Sequence, residues 1–214
     1  MLDRHVCCLY ENETEKARAS ADFIRLGLAR GSKCVYVTGD RGETQAASEL
    51  RSSGLDVTRL LAAGALVITT PRMLGLRRDA MDAYRLFSFW KSARRRAREQ
   101  RFEGLAGMGE TGALLGSAVP PESWIEYEHT LSEMAGDENC AFLCQYDRRF
   151  STPAQIRQVL STHTSVLHPG EEAPARPLPA LRAAQLRLGQ LTRNVNFGAL
   201  AGALTEDLGL RIGT

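Results

Sequence analysis

The chain has 214 residues, of which 43% are hydrophobic and 24% charged, with a formal net charge of +2. This composition is typical of a globular protein with one main domain, and its charge balance offers no basic excess that would favour direct nucleic-acid binding. Neither a leader segment nor an apolar run of about 20 residues is recognisable, so we expect a cytoplasmic protein without a membrane span.

The first forty residues predict a strand, a helix and a second strand. His5 to Tyr10 is a continuous apolar run, a helix capped by Thr14 extends to about Arg30 before Gly31, and Lys33 to Thr38 is again apolar. Parallel strands that are buried on both faces have such uninterrupted runs. The segment is therefore predicted to be a βαβ unit.

The junction between the first strand and the helix is where a phosphate loop GxxxxGK[ST] would lie. On that template Tyr10 and Glu15 replace the two glycines, Lys16 matches the lysine, and Ala17 replaces the hydroxyl residue. The glycines allow main-chain amides to surround phosphates, and the hydroxyl binds magnesium. With one of four elements kept, the sequence argues against ATP binding of the usual kind and leaves Lys16 as a possible nucleotide-binding remnant.

The remaining elements alternate in the same way. Continuous apolar runs predict strands, and apolar residues at helical spacing predict helices. This pattern predicts an α/β fold with a parallel-rich central sheet flanked by helices. The predicted elements are helix Glu43–Ser53, strand Ala65–Thr69, helix Asp79–Arg101, a strand within 102–110, helix Glu122–Met134, strand Ala141–Tyr146 and helix Pro153–Ser161.

Polar residues at the carboxyl ends of the predicted strands form the candidate ligand-binding site, because ligands of open α/β sheets bind there. Each has a plainer alternative: Asp147 can pair locally with its arginine neighbours, and the tyrosines can simply be amphipathic strand ends. Of the set, Glu110, after a glycine at a strand end, is the strongest candidate. The predicted ligand-binding residues are Tyr10, Glu11, Asp40, Glu110, Tyr146, Asp147 and Arg148.

Metal and catalytic chemistry are not favoured by the motifs. His5, Cys7, Cys144, His163 and His168 could form a mixed site, but strand alternation separates Cys7 from Cys8, and no CxxC or HxxxH pair occurs. No GxSxG, HExxH or GxGxxG motif is present in a supporting context. We expect no metal, no cofactor and no catalytic residue, and five reduced cysteines.

The composition changes after residue 168. Residues 169–179 form a proline-rich linker, and 180–214 are predicted to be helical, with apolar residues three and four apart from Leu181 to Val195. A coiled-coil contact of this length is only marginally stable on its own. We expect it to form a homodimer or to dock on a partner.

Four segments together resemble the MEDS domain family, the methanogen/methylotroph DcmR sensory domain. They are HVCCLYEN, GLARGSKCVYVTGD, the pair Gly109-Glu110, and the block from Ala141 to Gly170. The resemblance covers about residues 4 to 170. It implies a RecA/KaiC-like fold without a functional phosphate loop, a small-molecule ligand such as a hydrocarbon derivative, and a transcription regulator or histidine kinase as partner.

Three functional hypotheses follow. The first is a non-enzymatic sensory domain that relays ligand binding to its C-terminal helices. The second is a nucleotide-binding signalling ATPase with Lys16 and Glu110 as remnants. The third is a protein-interaction adaptor without a ligand.

Overall fold

The computed structural model describes residues 4–39, 42–74, 83–111, 121–137, 139–167 and 176–177. Within these residues the strands form a single sheet in the order β3-β2-β4-β5-β1-β6-β7. Strands β1 to β6 are all parallel, and the short β7 pairs with β6 in the antiparallel sense. The strands are β1 His5–Tyr10, β2 Ser32–Val37, β3 Leu66–Thr69, β4 Gly104–Gly109, β5 Cys140–Asp147, β6 Ser165–Leu167 and β7 Arg176–Pro177.

Six α-helices lie in the described residues, together with 3₁₀ turns at Pro71–Leu74 and Arg148–Phe150. They confirm the predicted α/β class, with a parallel central sheet flanked by helices. The α-helices are α1 Glu13–Ala29, α2 Gly42–Ser52, α3 Val57–Ala62, α4 Ala83–Glu99, α5 Pro121–Asp137 and α6 Pro153–Thr162.

The two faces of the sheet carry different side chains because neighbouring strand residues point to opposite sides. On the face covered by α1 and α2, Val6 and Cys8 of β1 join a buried cluster with Ile24 and Leu50. On the other face, the Trp90 ring of α4 lies edge-on to Phe142 of β5. The predicted separation of Cys7 from Cys8 agrees with this arrangement.

Gly107 in β4 allows the rings of Phe142 and Trp90 to approach the main chain of the sheet closely. A Cβ atom at this position would lie 2.7 Å from the Phe142 ring and 2.8 Å from that of Trp90. Both distances are shorter than normal carbon contacts, so the site has no room for a larger residue. The central strand therefore packs directly against the aromatic rings.

The structure corrects the start of the first helix and adds one element. The cap of α1 is Asn12, not Thr14: its side chain accepts a hydrogen bond from the Glu15 amide. Helix α3, capped by Asp56, lies where the sequence indicated only a connection to β3.

The C-terminal part of the chain divides from the rest at residue 177. The compact unit that contains the described residues ends at Pro177. Two residues of the predicted linker, Arg176 and Pro177, form β7. The predicted helical segment 180–214, and with it the predicted dimerisation surface, lies outside the described residues.

Candidate functional site

The amino end of α1 satisfies its own polar groups. Only two residues separate β1 from this helix. The Asn12 side chain accepts from the Glu15 amide at 3.0 Å, and the Glu15 carboxylate accepts from the Glu11 amide at 2.8 Å. Main-chain amides at a helix amino end are the groups that bind phosphate in nucleotide-binding folds. Here side chains of the protein already accept some of their hydrogen bonds.

Lys16, in the first turn of α1, is 2% exposed and surrounded by carboxylates. Its Nζ lies 2.8 Å from Glu13, 3.4 Å from Glu110 and 3.5 Å from Glu49. Burial alone would lower the pKa of Lys16, but Glu110, Glu13 and Glu49 together raise it. The lysine is therefore firmly charged and paired within the protein.

Glu110, directly after β4, connects Lys16 to the adjacent strand. The hydroxyl of Tyr36 in β2 donates a 2.7 Å hydrogen bond to Glu110 Oε1, while Oε2 faces Lys16. Gly39 makes room for this carboxylate, because a Cβ atom there would lie 2.8 Å from Oε2. Burial, followed by the charge of Glu110, raises the pKa of Tyr36 well above its usual value. Glu110 is thus held from three sides.

Polar groups extend from this pair beneath α1. Gln145 of β5 is fully buried and donates to the Ser20 hydroxyl at 2.9 Å, and Ser20 in turn donates to the Lys16 carbonyl. Tyr10 at the end of β1 is 6% exposed, and burial followed by the charge of Glu110 raises its pKa. The ends of β1, β2, β4 and β5 thus contribute to one polar region, which we call the Lys16 network: Tyr10, Glu13, Lys16, Ser20, Tyr36, Glu49, Glu110 and Gln145.

An open groove of about 570 Å³ between α1 and α2 borders this network. Its lining includes Glu13 and Glu49, which are both partners of Lys16, together with Arg18 and Gln45. The polar network is thus close to a surface depression large enough for a small molecule.

The outer predicted site residues form ion pairs. Arg148 lies 2.8 Å from Glu11, with both side chains largely exposed. Arg149 donates to Asp147 from its side chain and its main chain, and these hydrogen bonds lower the pKa of Asp147. These contacts correspond to the local pairing that the sequence offered as the plainer alternative.

Tyr146 lies apart from the Lys16 network. Tyr146 is completely buried on the other face of the sheet, where its hydroxyl donates to Glu128 at 2.6 Å. Asp40 lies outside the described residues. The structure thus brings Tyr10, Lys16 and Glu110 together and places Tyr146 elsewhere.

Sequence reasoning missed several members of the network. In the sequence, Tyr36 is only part of an apolar strand, and Glu49 only part of a helix. Strand alternation is a usable signal for Tyr36, because it places this side chain on the same face as Cys34, beneath α1. Nothing local indicates Glu49, whose contact with Lys16 depends on how α1 and α2 pack.

Tyr146 leads to a second buried polar group on the α5 side of the sheet. Glu128 of α5 is fully buried, and its Oε2 lies 3.0 Å from His5 Nε2 and 3.2 Å from His163 Nε2. Cys144 of β5 is 3.4 Å from the same oxygen. Burial would raise the pKa of Glu128, but His163 and His5 outweigh it and lower the pKa. Sequence reasoning considered three of these four residues as a disfavoured metal site and missed Glu128.

Among the described residues, no helix is both long and apolar enough to cross a bilayer.

Comparison with known proteins identifies the family. A search of curated proteins found no match. A family model described as the methanogen/methylotroph, DcmR sensory domain matches residues 4–164, which covers β1 to α6 and both polar groups. The chain therefore belongs to the MEDS family of sensory domains.

Proposed function

We propose that this chain is a non-enzymatic sensory domain that binds a small organic molecule beside Glu110. Its family membership supports a sensory or signalling role. The observation that carries the rest of the proposal is the pairing of Lys16 with Glu13, Glu49 and Glu110. A lysine that already has three carboxylate partners is not available to bind phosphate.

The charge of the network indicates which ligands it favours. One ammonium group and three carboxylates leave two net negative charges around Lys16, which Arg149, 3.5 Å from Glu13, offsets only in part. A nucleoside triphosphate would be repelled there, since like charges interact strongly in a partly desolvated site. An uncharged or cationic small molecule meets no such repulsion. A hydrocarbon derivative with a hydroxyl or amino group fits this requirement, because the carboxylates can accept its hydrogen bonds.

The same contacts support descent from a RecA/KaiC-like nucleotide-binding fold. Lys16 lies in the first turn of the helix that follows β1, and Glu110 follows β4, which lies two strands from β1 in the sheet. In this proposal the lysine of the former phosphate loop is kept, and protein carboxylates take the place of the phosphate charges.

Binding rather than catalysis is supported by the state of the polar groups. The carboxylate of Glu110 is engaged with Tyr36 and Lys16. Burial raises the pKa of the Cys8 and Cys34 thiols to about 12, so neither is a thiolate near neutral pH. Glu110 is therefore suited to hold a ligand in place, and neither thiol is suited to attack one.

We further propose that the C-terminal segment 180–214 passes the signal on, as a homodimer contact or by docking on a transcription regulator or histidine kinase. Ligand binding can shift such a contact only if the ligand prefers one of two conformations. Glu11 and Arg148 form an exposed ion pair at the ends of β1 and β5. This pair supports the proposal, because a ligand that binds nearby can change the contact between the segments that follow these two strands.

Native mass spectrometry of the purified protein tests ligand binding. We expect a small-molecule adduct on the wild-type chain that is reduced in Glu110→Gln, which keeps the size of the side chain but removes its charge. The matched control is Glu103→Gln, because Glu103 is exposed at the opposite end of the same strand. An adduct retained equally by both variants would place the ligand elsewhere, and absence of any adduct at cellular ligand levels would favour the adaptor hypothesis.

Calorimetric titration with ATP and magnesium tests the nucleotide alternative. We expect no saturable heat. Lys33 provides the control, because it is also buried, at 6% exposure, but lies near the start of β2 at the other end of the sheet. Saturable binding that is weakened by Lys16→Ala and unaffected by Lys33→Ala would contradict the proposal.

A further inference from the structure

Four side chains with metal-binding atoms converge on the face of the sheet opposite the Lys16 network. His5 begins β1, Glu128 lies in α5, Cys144 lies in β5, and His163 follows α6. Their ligand atoms all lie within 4.8 Å of one another. None of the four residues is more than 3% exposed.

The distances between these atoms agree with the edges of a zinc coordination tetrahedron. Bond lengths of about 2.0 to 2.1 Å to nitrogen or oxygen and about 2.3 Å to sulfur require ligand atoms roughly 3.3 to 3.6 Å apart. The two histidine Nε2 atoms lie 3.0 and 3.2 Å from Glu128 Oε2. Cys144 Sγ lies 3.4 Å from that oxygen and 3.5 Å from His5 Nε2. These are four of the six edges; the two that join His163 to His5 and to Cys144 lie within 4.8 Å, so His163 must move by up to about an ångström to complete the tetrahedron.

The hydrogen bonds of His163 fix which of its ring nitrogens carries the proton. Its Nδ1 lies 2.7 Å from the carbonyl oxygen of Val159. A carbonyl oxygen only accepts, so Nδ1 is the donor. In the neutral ring, Nε2 therefore has a lone pair. This nitrogen is completely buried and lies 3.2 Å from Glu128 Oε2, and among the described residues no group donates a hydrogen bond to it.

His5 contacts Ser132 through its other ring nitrogen. Its Nδ1 lies 2.7 Å from the Ser132 hydroxyl oxygen, which is also 3.1 Å from the Thr162 carbonyl. When the hydroxyl donates to Thr162, it accepts from Nδ1, and Nε2 then has a lone pair near Glu128 and Cys144. In the alternative tautomer Ser132 donates to Nδ1, and Nε2 donates to Glu128.

The His163 lone pair faces a buried carboxylate, and this arrangement requires a positive charge between the two groups. Protonation of an imidazole supplies one such charge, and a divalent cation supplies two. A thiolate, a carboxylate and two neutral imidazoles carry two negative charges in total, which a divalent ion neutralises. Imidazole and thiolate together select zinc among common biological cations.

We propose that His5, Glu128, Cys144 and His163 bind one zinc ion. The surrounding groups are those that orient ligands in metal sites: Val159 and Ser132 accept from the imidazoles, and Tyr146 donates to the second carboxylate oxygen at 2.6 Å. With four protein ligands the site is closed, which is the arrangement of structural zinc. It connects β1 and β5 to α5 and to the start of β6, independently of the ligand site beside Glu110.

Zinc content measured by plasma mass spectrometry tests the proposal. Because the four side chains are buried, the chain is first unfolded in denaturant that contains a chelator. It is then refolded in the presence of zinc and desalted. We expect one zinc per wild-type chain and almost none for Cys144→Ser. The control is Cys140→Ser, since Cys140 lies on the same face of β5 and is also 3% exposed; this variant should keep its zinc. A zinc-free wild-type protein, or equal zinc in the two variants, would refute the site.

Cobalt substitution tests the same site even if Cys144→Ser fails to fold. The wild-type protein refolded with Co²⁺ should show the intense visible bands of tetrahedral cobalt and a thiolate charge-transfer band. Ser132→Ala, which removes the partner of His5 Nδ1 together with one hydrogen bond to the Thr162 carbonyl, should weaken metal binding by about 10- to 100-fold. A cobalt spectrum without thiolate character would overturn the proposed ligand set.

Discussion

Lys16 Nζ lies 3.4 Å from Glu110 Oε2, which joins the first turn of α1 to the end of β4 through a buried ion pair. The two residues are far apart in sequence, and the parallel arrangement of β1 and β4 brings them to the same edge of the sheet. Their pairing explains why a positive side chain is retained in a position where its phosphate-binding neighbours are lost. The lysine stabilises three carboxylates of the fold.

Replacing Lys16 with methionine should destabilise the protein strongly. The change leaves Glu13, Glu49 and Glu110 without their shared cation, and removing one partner of a buried pair costs about 3 to 5 kcal/mol. The free energy of unfolding in urea measures this loss. The double variant with Glu110→Gln should recover part of it, because Glu110 then no longer carries a charge next to the missing ammonium group. Equal stability of Lys16→Met and wild type would show that the network contributes little.

Replacing Gly107 with alanine should also destabilise the protein, by about 1 to 3 kcal/mol. The added methyl group would lie 2.7 Å from Phe142 and 2.8 Å from Trp90, and both rings are held within the core. Gly136→Ala is the matched control: no atom lies within 4 Å of the position that its methyl group would take, and alanine is preferred in a helix by about 0.8 to 1 kcal/mol. Thermal unfolding of the two variants should therefore shift in opposite directions, and a shared direction would contradict this account of β4 packing.

The sheet could be predicted because its strands are continuous apolar runs. His5–Tyr10 is correct at both ends, and the other parallel strands named from the sequence agree to within a residue or two. The six-residue helix α3 was missed because it is too short to show a helical period. The cap of α1 was misassigned because Asn12 and Thr14 are both good capping residues, and only the structure shows which side chain accepts from the Glu15 amide.

The site was predictable only where local rules apply. The structure places Tyr10 and Glu110 at neighbouring strand ends, as the sequence predicts, but Tyr146 and Asp147 are neighbours on one strand and must face opposite sides of the sheet. Alternation alone therefore excludes a site that both side chains share. Glu128 could not be found, because on an amphipathic helix a carboxylate is normally solvated. Its complete burial results from the approach of β1, β5 and the end of α6 to α5.

The cysteines should resist thiol reagents in the native protein. All five are buried, and burial raises the pKa of Cys8 and Cys34 to about 12. The reactive thiolate is therefore scarce at about pH 8, where an unperturbed cysteine of pKa about 8.5 reacts readily. Titration with Ellman's reagent should detect no fast thiol before unfolding and five after it in denaturant. A full equivalent reacting rapidly in the native state would contradict the burial of that cysteine.

Asp147 should make the protein sensitive to acid. The side-chain hydrogen bond from Arg149 is the main cause that lowers the pKa of Asp147 below its usual value of 3.8. A carboxyl with a lowered pKa stabilises the fold above its unfolded pKa, and this contribution is lost as pH falls through the folded value. The stability difference between wild type and Asp147→Asn should therefore be constant near neutral pH and shrink as the pH falls below about 4.

Carbon-detected NMR titration measures the same property directly, by following the Asp147 carboxyl shift as pH is lowered. We expect its midpoint below 3.8 in the wild type and nearer to 3.8 in Arg149→Gln, because that variant loses the side-chain donor. Arg25→Gln is the control, since Arg25 pairs with Asp22 on the surface, away from Asp147. If the wild-type midpoint lies at 3.8 or above, the Arg149 contact does not hold Asp147 in its charged form. Asp147 would then be free to accept a ligand's hydrogen bond, as its place at a strand end predicts.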